Sequence, residues 1–71
     1  MKSDPQERDP KKKALIKAAG IEARYSMEQD RTIELGGACH ILWNRQQKIL
    51  QEKYDIRWRT PAEMNPDIMF D

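Results

Sequence analysis

Apolar residues recur at helical spacing in two stretches of the chain. In the first, Ala14, Ala18, Ile21 and Tyr25 follow one another at intervals of four, three and four, with Leu15 alongside. That spacing predicts one apolar helix face. Asp9-Pro10 suits its start, because an Asp side chain accepts from free amide groups and Pro fits the first helical position. Gly20 is expected to weaken this helix by about 1 kcal/mol relative to Ala. Residues Ser26 to Thr32 are polar, which places a turn late in that stretch, with Asp30 or Thr32 capping the next helix. The second pattern runs through Leu35, Cys39, Leu42, Gln46, Ile49 and Lys53, flanked by Ala38, Ile41, Trp43, Leu50 and Tyr54. So wide a face predicts a helix of about six turns ending near Tyr54. Gly36-Gly37 could form the turn itself, but the period continues across the pair. The pair is therefore expected inside or at the start of the second helix, where Gly36-Gly37-Ala38-Cys39 would permit a close helix crossing.

Beyond Tyr54 the pattern changes. Asp55-Ile56-Arg57-Trp58-Arg59 alternates strictly, as an extended segment lying on a surface does. Thr60-Pro61-Ala62-Glu63 has the form of a capping box, and Asn65-Pro66 must end the helix it starts. Ile68, Met69 and Phe70 are expected to fold back onto the helices. The fold class is thus mainly α: a helical hairpin of two amphipathic helices over 10–54, with a C-terminal arm over 55–71 that contains a short capped turn. Residues 1–9 carry no periodic signal and are expected to form a flexible tail. The arm can cover only one open side of a helix pair, so dimerisation into a four-helix arrangement is expected to cover the other.

Composition supports this picture and bounds the function. The chain has no Val and little Thr, which disfavours an all-β fold. Ile, Leu and Phe together number only 12, yet 13 basic residues face 12 acidic ones, so the charge imbalance typical of disorder is missing. A small core is expected, close to the lower limit for a self-sufficient domain. No apolar run approaches the roughly 20 residues of a membrane helix, and no signal sequence is apparent. The single Cys39 fits a reducing compartment, so the cytoplasm is the expected location.

Candidate chemistry is sparse. Cys39-His40 resembles a nucleophile beside a base, but neighbours on a helix point about 100° apart and do not meet readily. One Cys and one His are too few for a structural zinc site within one chain, so neither a metal nor another cofactor is expected. The carboxylates are scattered, and Gly36-Gly37 lacks the remainder of a phosphate loop. An enzyme is not expected. Two binding functions stand against each other. The favoured one is a small interaction module (an adaptor, regulator or inhibitor) acting as a homodimer, with Leu35, Ala38, Cys39, Leu42, Trp43, Ile49, Leu50 and Tyr54 at the dimer or partner interface. The alternative is a nucleic-acid-associated protein. Between Ala38 and Arg59 five cations (Arg45, Lys48, Lys53, Arg57 and Arg59) face two acids, and Arg57 and Arg59 flank Trp58. Guanidinium groups beside an aromatic ring suit phosphate contact and base stacking. The net charge of only +1 argues against this alternative.

Overall fold

The computed structural model describes residues 2–69. Its main body is a hairpin of two packed helices, α1 (Pro10–Gln29) and α2 (Ala38–Tyr54), followed by a short α3 (Pro61–Met64). A 3-10 turn, Pro5–Arg8, precedes α1, and another, Thr32–Glu34, lies in the connection. No strand occurs among the described residues.

Capping chemistry starts and ends these elements. The Asp9 carboxylate accepts from the Lys11 N–H at 3.0 Å, with Pro10 in the first turn as expected. α2 starts at Ala38, later than its apolar period suggested. Leu35 is extended and half exposed, and Gly37 serves as the N-cap with φ of 75°. Left-handed backbone is the reason: Gly37 adopts it without a Cβ penalty, and the helix begins only after it. Gly36-Gly37 therefore precedes the helix as part of an eight-residue connection, Asp30–Gly37. At its other end α2 stops at Tyr54, where Asp55 takes the left-handed conformation. The Asp55 and Ile56 N–H groups both donate to the Leu50 carbonyl. That closure reverses the chain and directs the arm back across the helices.

The core forms where the arm lands. Ile16 and Ala19 of α1, Leu50 of α2, and Ile56 and Trp58 of the arm make one buried cluster, with Leu15, Trp43, Ile49 and Tyr54 packed on its edge. The alternation in the arm is realised: Ile56 and Trp58 are buried while Arg57 and Arg59 are exposed. Thr60 and Glu63 form the reciprocal capping box expected from sequence.

The helices cross closely at Gly20 rather than beside Gly36-Gly37. Gln46 of α2 is buried and donates to the Ile16 carbonyl at 2.9 Å. Its amide lies 3.0 Å from where a Cβ on residue 20 would stand. A Cβ there would press on this side chain, so glycine suits the point where Gln46 reaches across from the opposite helix.

Two terminal segments depart from expectation. The N-terminal stretch, expected to be a flexible tail because it carries no periodic signal, holds Asp4 at 2 % exposure. The Asp4 carboxylate accepts from the N–H groups of Gln6 and Arg59, at 3.0 and 2.8 Å. Asn65 exchanges hydrogen bonds with the Lys2 backbone, and Trp58 Nε1–H donates to Glu7 at 3.3 Å. The segment is held through polar pairing, which hydrophobic periodicity does not register. Conversely, Met69 is 97 % exposed and does not fold onto the helices, whereas Ile68 is 41 % exposed and so partly covered. The chain turns at Pro66-Asp67, where the Ile68 N–H donates to the Asn65 carbonyl at 3.0 Å. Phe70 lies outside the described residues.

Candidate interaction surface

Helix α1 carries two apolar stripes. Ile16, Ala19, Ala23 and Met27 are all at most 4 % exposed and face α2. At about 100° per residue, Ala14, Ala18, Ile21 and Tyr25 lie on the opposite side of the helix. All four are exposed, Ile21 at 64 % and Tyr25 at 62 %. The stripe whose spacing predicts an apolar helix face is thus the outer one, and the inner one is built on small residues. The reason lies in the crossing. Ala19, Gly20 and Ala23 let α2 approach closely, whereas Ile21 and Tyr25 would hold it away. Single exposed apolar side chains are ordinary, but four at helical spacing form a contiguous face.

The residues expected at an interface on α2 have mixed placements. Leu50 is fully buried within the chain, so its side chain is not available to a partner. Trp43, Ile49 and Tyr54 are half-buried against the same core. Ala38, Cys39 and Leu42 line an apolar cleft of about 140 Å³ together with Arg24, Met27 and Ile33, between the end of α1 and the start of α2. Leu35 stands nearby in sequence and is 55 % exposed. Next to Cys39, His40 packs edge-on to Trp43 with ring centroids 5.7 Å apart.

Three of the five basic residues are paired with carboxylates. Arg45 pairs with Asp30 at 2.8 Å and donates to the Ser26 hydroxyl at 2.9 Å, bracing the connection against α2. Lys53 pairs with Glu22 at 3.3 Å, and Arg59 approaches Asp4 at 3.6 Å. Trp58, at 3 % exposure, has no free ring face on which a base could stack. Lys48 and Arg57 are exposed and have no carboxylate partner among the described residues. Nor do three His, Cys, Asp or Glu side chains converge there as a possible metal set. No helix among the described residues is long and apolar enough to cross a membrane. The chain matches no protein-family model, no curated protein and no solved structure.

Two carboxylates tie the outer segments to the hairpin and make stability depend on pH. The Thr32 hydroxyl, donating at 2.7 Å, holds the Asp30 carboxyl at about 2, helped by Arg45 and the Thr32 N–H. At Asp4 burial pushes upward, but hydrogen bonds from Gln6 and Arg59, with the Arg59 charge, outweigh it and leave the group below its ordinary 3.8. Both groups bind protons more readily in the unfolded chain, so acid favours unfolding. Their contribution is complete above about pH 5 and is lost as the pH falls through the folded-state values. Thermal melts followed by circular dichroism should show a midpoint that declines from about pH 5 to pH 2. In Asp30→Asn the decline should be shallower. A midpoint constant across that range would contradict both assignments.

Proposed function

We propose that this chain is a small non-enzymatic interaction module that works as a helical homodimer, an adaptor, regulator or inhibitor of a larger assembly. The observation that carries this proposal is the exposed stripe Ala14, Ala18, Ile21 and Tyr25, opposite the face that α1 already buries. A helix with apolar residues on both sides gains by covering the second. The expected interface on α2 moves accordingly to α1, since much of the α2 face is spent on the chain's own core. The single Cys39 supports a reducing, cytoplasmic setting.

Light scattering across a concentration series tests it. Wild-type chain should approach the mass of two copies, and Ile21→Lys with Tyr25→Lys should remain at one. Lys is a good helix former and both sites are exposed, so the helical signal should be unchanged. Wild-type mass of one chain at every concentration would refute the homodimer.

A further inference from the structure

We infer that the occupant of this face is a second copy of the chain with its α1 antiparallel, in a register that sets Lys11 against Glu28 of that copy. This rests on the homodimer proposed above and specifies its geometry. Lys11, Ala14, Ala18, Ile21, Tyr25 and Glu28 are spaced three, four, three, four and three. That is the seam of a coiled coil, in which every such residue meets the facing helix. In an antiparallel pair centred between Ala18 and Ile21, Ala14 meets Tyr25 and Ala18 meets Ile21, each time a small residue against a large one. The outermost layers then join Lys11 to Glu28 at both ends. A parallel pair would instead set Lys11 against Lys11, Tyr25 against Tyr25 and Glu28 against Glu28.

The charge order along α1 supports the same geometry. Lys11, Lys12 and Lys13 occupy the first turn, where no acidic residue accompanies them, and no basic residue stands in the last turn. Cations at the N-terminus and acids towards the C-terminus oppose the helix's own dipole. The same order is complementary to an antiparallel copy, for which basic end meets acidic end. An isologous contact requires such self-complementarity of one patch. Glu28 is half exposed, with only a 3.6 Å pair to Arg24, so its carboxylate remains reachable. On one shoulder of the seam Lys17 comes near Arg24 of the second copy, and Glu28 offsets that like charge. On the other shoulder lie Leu15 and Glu22, the latter paired with Lys53.

Two measurements test the register. Lys11→Glu chains carry acid at both ends of the seam and Glu28→Lys chains carry base at both. Each alone should dimerise on the order of tenfold more weakly than wild type, and an equimolar mixture should recover a tight pair. Next, Lys11→Cys and Glu28→Cys are each made in a Cys39→Ala background. Mixed and oxidised, they should form a two-chain product, which neither forms alone. Cross-linking of either variant with itself would overturn the antiparallel register while leaving the homodimer standing. A chain that is monomeric in light scattering at all concentrations would remove both.

Discussion

Replacing Trp58 with Ala is expected to destabilise the fold by about 3–5 kcal/mol, the range for removing a large aromatic from a packed core. A domain of this size commonly has only about 4–11 kcal/mol in total, so much of the margin disappears. Trp58 is the largest side chain of the buried cluster, and it joins three segments. Its ring packs against α1 and α2, its indole N–H donates to Glu7, and its own carbonyl accepts from Gln47 at 2.8 Å. Without the ring, the arm loses the apolar contact that holds it across the hairpin. Trp58→Phe largely separates the two contributions, since it keeps much of the apolar area while giving up the hydrogen bond and part of the ring volume. It should cost about 1–2 kcal/mol, including the smaller volume. Urea unfolding followed by circular dichroism provides the comparison. An Ala variant within about 0.5 kcal/mol of wild type, as for a plain surface change, would show that the arm is not docked.

Much of this architecture is legible in the sequence because it depends on local rules. The Asp9-Pro10 start, the end of α2 at Tyr54, the alternation of the arm and the capping box at Thr60 each follow from neighbouring residues. What periodicity does not resolve is which of two stripes on one helix faces inward. Ile21 and Tyr25 are the bulkier apolar residues, and transfer energy alone would bury them. Close packing reverses that order at α1, because the small residues Ala19, Gly20 and Ala23 allow the backbone of α2 to come near and admit Gln46. The signal was present as the run of small residues around Gly20. Gly36-Gly37, where the sequence pattern also allows a close crossing, is instead where the chain turns. A similar limit applies to the candidate surface. The interface residues chosen on α2 are apolar in the right pattern, but the arm, whose docking site has no sequence signature, covers the core from which many of them project. The exposed face on α1 emerges only after the arm and α2 have been placed.

The polar clamp at the N-terminus leads to the second large effect. Asp4→Ala is expected to cost about 2–4 kcal/mol, although the substitution removes no apolar group and lies six residues before α1. Two penalties combine. The Gln6 N–H loses its capping acceptor, a loss of about 0.5–2 kcal/mol. The Arg59 N–H, held at 2.8 Å, is left without its acceptor beside a buried arm, about 1–3 kcal/mol. Asp4→Asn keeps an oxygen for one donor but places an amide where the other donor points, so it should fall between Ala and wild type. The charge also matters, because Arg59 approaches the same carboxylate. The Asn variant should therefore lose part of the acid sensitivity of the wild type, and its stability should vary less between about pH 5 and pH 2. Hydrogen exchange locates the effect. Protection at Ile56 and Arg59 should fall in Asp4→Ala by more than protection in the middle of α2, because the clamp acts on the arm. Equal loss at both places would mean that Asp4 supports the whole fold uniformly, and no loss at either would mean that the polar segment contributes nothing to holding the arm.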